Sequence, residues 1–220
     1  MEIIEKISCS KAFADFMQVN QENISEEDLN RVVQGLIYYR DQYKKIVGDD
    51  QDTLSATATF YAGIDEAMKQ MREEDKAQIS CKKGCSYCCH INVDISMDEA
   101  KLIVEHCVEK SIPIYVERLK AQLGMNNDKR RNLGENTACA FLDVEQGTCN
   151  VYEYRPAACR KYIVFSDPLL CDAKENPGAT VTQFINQKAE LITAGIMNNS
   201  AFGPMAELVL ETLKNRGDNA

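Results

Sequence analysis

Eight of the ten cysteines fall into two groups: Cys81, Cys85, Cys88 and Cys89, then Cys139, Cys149, Cys159 and Cys171. Spacings of C-x3-C and C-x2-C let two thiolates reach one ion without stretching the backbone, and Gly84 permits the tight turn this needs. Adjacent Cys88 and Cys89 are expected to point in different directions, so they serve two ions or one of them binds nothing. Eight thiolates fill two four-coordinate sites, or one cluster with spare thiols.

Whether such thiols are ligands or disulfides depends on the compartment. The start, Met1-Glu2-Ile3-Ile4-Glu5-Lys6, has no positive flank followed by an apolar stretch, so no secretory signal is read. No segment approaches the roughly 18 apolar residues of a membrane span. The expectation is a cytoplasmic chain, whose thiols are kept reduced. With 220 residues and 45% hydrophobic side chains, it can bury a core without covalent staples. The cysteines therefore read as metal ligands rather than cross-links.

The formal net charge is −9 and no long basic run exists, which argues against nucleic acid and anionic membrane as partners. A protein partner stays open. Lys82, Lys83, Arg155, Arg160 and Lys161 lie within or beside the cysteine groups, where positive charge favours thiolate. The abundant carboxylates read as solvated helix faces.

The predicted fold class is mainly α, a helical scaffold around an irregular cysteine-rich core. Three regions are expected: N-terminal helices over 1–80, a cysteine-cluster metal-binding domain over 81–175, and C-terminal helices over 176–220 packing on the same fold. Ser25 and Asp28 open a helix with Leu29, Val32, Val33, Leu36, Ile37 and Tyr43 on one face. After a break at Gly48-Asp49-Asp50, Asp52 caps a second helix with Leu54, Tyr61, Ile64, Met68 and Met71 facing inward. Ile91, Val93 and Ile95 alternate as a short extended segment. Ser96 and Glu99 form a capping box before a helix burying Ala100, Ile103, Val104, Cys107 and Val108. Pro113 suits the first turn of the next helix, which carries Leu119 and Leu123. Residues 124–137 read as an exposed loop. Later helices run through Phe184, Ile185, Leu191 and Ile192, and from about Met205 to Leu213.

Some residues read more simply. Cys107 is a buried small hydrophobe, Cys9 a free thiol and His106 a helix-surface residue. His90 is open as a nitrogen ligand beside the thiolates.

The run Cys81-x3-Cys85-x2-Cys88-Cys89, then Cys139-Ala140-Phe141-Leu142, then Cys149-Asn150-Val151-Tyr152-Glu153-Tyr154-Arg155-Pro156-Ala157-Ala158-Cys159-Arg160, resembles the YkgJ-type cysteine-cluster family. The resemblance covers roughly residues 81–171, and Ser96 to Ala100 is similar to that family's helix opening. It implies a domain chelating zinc or iron through the eight cysteines. Arg155 is expected to be available for a carboxylate or a charged cluster, with Pro156 fixing the turn that presents Cys159.

Two enzymatic readings compete with a metal- or cluster-binding protein. The flagellin lysine N-methylases carry a related cysteine pattern, which implies S-adenosylmethionine-dependent methyl transfer. Cys81-x3-Cys85-Ser86-Tyr87-Cys88 also has the spacing of radical S-adenosylmethionine enzymes, but no series of strands alternating with helices is read here. A structural zinc module and a thiol–disulfide enzyme built on Cys85-Ser86-Tyr87-Cys88 complete the alternatives; no βαβ context supports the last.

Overall fold

The computed structural model describes residues 17–18, 23–125, 137–172 and 174–217. Cys9 and most of the expected loop at 124–137 lie outside the described residues.

Eight α-helices dominate the described residues: α1 Glu26–Val47, α2 Thr53–Lys69, α3 Glu73–Lys76, α4 Met97–Lys110, α5 Val116–Gln122, α6 Ala157–Lys161, α7 Gln187–Met197 and α8 Met205–Arg216. The mainly helical reading holds. Helix starts follow their caps. The Ser25 hydroxyl accepts from the Asp28 N–H at 3.1 Å, and the Asp52 carboxylate accepts from the Ser55 N–H at 2.9 Å. Ser96 and Glu99 close a reciprocal capping box at the head of α4. Gly48, at φ +57°, ends α1.

Helix α7 packs against both α1 and α2, and α2 also meets α4 and α6. The α2–α7 contact requires Gly195, because a Cβ there would lie 2.6 Å from the Phe60 ring and 2.9 Å from the Tyr39 carbonyl oxygen. Tyr43, Phe60, Tyr61, Ile64, Ile192 and Ile196 form the core of this layer. A second core lies under α4, α5 and α8, where Ile103, Val104, Leu119 and Val209 meet Phe141 and Val151 of the cysteine-rich stretch. Two short antiparallel pairings add to the helices. Strand β1 (Asp94–Ser96) pairs with β4 (Phe202–Pro204), and β2 (Leu142–Asp143) pairs with β3 (Thr148–Cys149).

The structure corrects several local expectations. Val108 is 48% exposed, since it sits at the edge of the α4 stripe made by Ala100, Ile103, Val104 and Cys107. Pro113 precedes α5 rather than opening it: residues 112–115 are not helical, and the Tyr115 N–H donates to the Ala140 carbonyl. Leu123 caps the end of α5 and is exposed, and Met71 lies beyond the end of α2. Phe184 and Ile185 are not helical, because the backbone of residues 182–184 bonds to that of 163–165 before Asn186 caps α7. No helix among the described residues is long and apolar enough to cross a membrane.

Candidate metal centre

The first cysteine group occupies a loop and one turn of 3₁₀ helix, Tyr87–His90. Gly84 turns the loop at φ +87°. The Cys81 sulfur accepts from the Val164 N–H at 3.4 Å, while the Ser80 N–H donates to the Val164 carbonyl, so the loop is laced to the segment after α6. Cys88 is exposed and Cys89 half-buried. Contrary to the expectation of divergence, the 3₁₀ turn brings their sulfurs into hydrogen-bond contact.

The second group reaches the first through backbone. The Cys139 N–H donates to the Cys89 carbonyl at 2.8 Å. Cys149 ends β3, opposite Leu142. The turn between β2 and β3 carries Gly147, at φ +63°, where a Cβ would stand 2.8 Å from the carbonyl oxygen of Gly84. Gly147, lacking a Cβ, thus lets the two cysteine-bearing loops touch, while Gly84 supplies the positive φ of its own turn. Gly147→Ala is expected to strain the turn by about 1–2 kcal/mol and to force the loops apart. Lower thermal stability together with weaker metal retention would show it; unchanged retention would discount this contact.

Cys159 rides on α6, which is only five residues long. Cys171 ends a 3₁₀ turn, Pro168–Cys171, and lines a small cleft with Tyr87, Cys88, Tyr162 and Leu170.

Electrostatics report which thiols face one another. Burial, then the charges of Cys139, Cys88 and Cys149, push the Cys159 thiol well up. The contact with Cys88 first, then burial and the charges of Cys139, Cys88 and Cys159, push Cys89 up. Burial raises Cys149, against which the Val151 N–H and the Arg155 guanidinium pull down. Burial raises Cys85, with Cys81 and Cys88 adding to it and Lys82 opposing. Cys88 goes the other way, to about 7, because Cys89 donates to it. Cys88, Cys89, Cys139, Cys149 and Cys159 therefore act on one another, Cys81 and Cys88 act on Cys85, and Cys171 lines a cleft beside Cys88. Cys107 is buried in the core, its thiol pushed up to about 12 by burial and by Cys149.

Thiols gathered this way repel one another as anions, and a bound cation reverses that balance. Among the described residues, no three Cys, His, Asp or Glu side chains stand together at metal-coordinating positions. The fit to zinc or iron rests on the donor set: soft sulfur ligands from both groups that act on one another, with Arg155 and Lys82 beside them.

Other polar residues depart from the sequence reading. Asp98, Glu99 and Glu190 are buried rather than solvated. Arg155 donates to the Tyr152 carbonyl and lies over the Tyr152 ring, while it is Arg160 that pairs with a carboxylate, Asp65. The His106 ring stacks on Tyr154 at 3.7 Å with Nδ1 buried, so it is not a plain surface residue. His90 ends the 3₁₀ turn, half-buried.

The described residues form a helical scaffold that carries cysteines on several short elements. Residues 80–176 match the family CxxCxxCC, described as a "putative zinc- or iron-chelating domain", so this stretch is similar to that cysteine-cluster family. The match bears out the resemblance read from the cysteine spacing. No curated protein and no solved structure gives a match.

Proposed function

We propose that this chain is a metal-binding protein that holds zinc, iron or an iron–sulfur cluster through Cys81, Cys85, Cys88, Cys89, Cys139, Cys149, Cys159 and Cys171, in a reducing cytoplasmic setting. The observation carrying this reading is the match of residues 80–176 to a zinc- or iron-chelating family, beside the backbone bond from Cys139 to Cys89 and the close approach of Gly147 to Gly84 that bring the two cysteine groups together. Thiols that raise one another cost least when a cation takes the place of their protons. Under this reading the eight cysteines hold the metal, Arg155 and Lys82 offset the anionic charge, and the helices fix the loops. The metal supplies a folding constraint, and in the iron case a redox centre.

The radical enzyme reading draws nothing from the fold, because the described residues contain two two-stranded pairings rather than strands alternating with helices. Methyl transfer to protein lysine stays the alternative that S-adenosylmethionine binding would test.

The deciding experiment is elemental analysis with a visible spectrum on protein purified without oxygen or added metal. Iron with acid-labile sulfide and broad visible absorption means a cluster; stoichiometric zinc in a colourless sample means a structural or zinc-handling site. Cys85→Ser and Cys159→Ser are expected to lose metal and to unfold at lower temperature, while Cys9→Ser does neither. Full metal content in both variants would refute the ligand assignment.

A further inference from the structure

The cysteine-bearing helix α6 spans only Ala157–Lys161. A helix this short has no stability of its own in water, so tertiary contacts must hold it in shape. Those contacts come largely from α2, which lies outside the stretch matched to the cysteine family.

Arg160, next to Cys159, is buried. Its guanidinium lies 4.2 Å from the centre of the Tyr61 ring, pairs with the Asp65 carboxylate and donates to the Glu153 carbonyl. Tyr61 and Asp65 stand four residues apart on α2 and so share a face. Tyr61 also donates to Glu99 Oε1 at 3.1 Å, and the same oxygen accepts from the Ala157 N–H at 2.8 Å. The single turn carrying Cys159 is therefore gripped on both sides, at Ala157 through Glu99 and at Arg160 directly, by one pair of α2 side chains. A planar guanidinium suits this role, because it can stack, pair and donate at once, as an ammonium cannot.

We propose that Tyr61 and Asp65 are positioning residues for the metal site, holding Arg160 and through it presenting Cys159 to the other thiols. The inference rests on the metal-binding reading above. It makes the N-terminal hairpin part of what sets metal affinity, although it contributes no ligand.

The test uses the full chain, reduced and stripped of metal, titrated with cobalt(II), whose thiolate charge-transfer absorption reports sulfur ligation. Asp65→Ala and Tyr61→Leu are expected to bind cobalt about 10- to 100-fold more weakly, the usual cost of removing an outer-shell partner. Asp65→Glu should recover most of the loss. Should Asp65→Ala fail to fold, Asp65→Asn, which keeps the shape but not the charge, carries the same expectation. Ile64→Val thins the core of the same helix without touching Arg160, and is expected to bind cobalt as the unmodified chain does. Unchanged affinity in the Asp65 and Tyr61 variants would overturn the inference and leave the cysteine site standing. An equal loss in Ile64→Val would overturn it too, by reducing the effect to fold stability. Failure of the unmodified chain to show thiolate-bound cobalt would remove the metal-binding reading, and the inference with it.

Discussion

Lys161→Met is expected to lower the unfolding free energy by about 3–5 kcal/mol, the usual cost of leaving one half of a buried ion pair behind. The Lys161 ammonium lies 2.6 Å from Glu190 Oε1, with the two side chains 5% and 2% exposed. Other ion pairs among the described residues are more open: Arg31–Glu27 and Lys120–Glu117 lie largely in water, where such pairs contribute little. Lys161 is the last residue of α6 and Glu190 lies in the first turn of α7, so the pair ties the Cys159 helix to the three-helix layer. The charge on Glu190 then stays buried without its ammonium. The double replacement Lys161→Met with Glu190→Leu should recover most of the loss, since an apolar pair of similar volume removes both desolvation costs. Urea unfolding of the reduced, metal-free protein measures both. A single-variant loss below about 1 kcal/mol would show that the pair is already wet.

Glu99→Ala is expected to cost about 3 kcal/mol or more, because three donors lose their acceptor in a buried place, each worth about 1–3 kcal/mol. Glu99 accepts from the Ser96 N–H at 2.8 Å, the Ala157 N–H at 2.8 Å and the Tyr61 hydroxyl at 3.1 Å. The first bond closes the cap of α4, the second starts α6, and the third joins α2. One carboxylate thus ties three elements together, and its loss should loosen Cys159 along with the fold.

Glu99→Gln keeps one acceptor oxygen and should cost less. Its effect should depend on pH. Burial raises the Glu99 carboxyl above its ordinary value, with its donors opposing. A raised carboxyl contributes stability that is complete below the unfolded value of about 4.3 and is lost as pH rises through the folded value. The stability difference between the parent protein and Glu99→Gln should therefore be largest in acid and shrink toward neutrality. A difference that grows with pH would mean that the donors outweigh burial.

Much of the helical frame was legible in the chain because helix starts are local events. Ser25, Asp52 and the Ser96–Glu99 box each name a cap within four residues of its partner, and each is made as expected. The apolar stripes of α1 and α2 are equally local. What failed was where local signals compete with distant backbone. Pro113 looked like a helix start, but Tyr115 bonds to Ala140; Phe184 looked helical, but its N–H goes to Ile163. β4 consists of Phe202, Gly203 and Pro204, which carry no strand pattern and are held by pairing with β1.

For the candidate site, the cysteine spacing alone carries the proposed soft donor set and the likeness to the cysteine-cluster family, since close thiols and a permissive glycine are written in consecutive residues. It could not tell how the two groups meet. Tertiary structure decided that, through the Gly84–Gly147 contact and the Cys139–Cys89 backbone bond, both joining residues about 50 or more positions apart. It also decided which charges are buried. Glu99 shows one helix cap in sequence, and only packing reveals its bonds to Tyr61 and Ala157. Hydrogen bonds of that kind have no period and no spacing; they exist because separate helices arrive at one point and bury what lies between them.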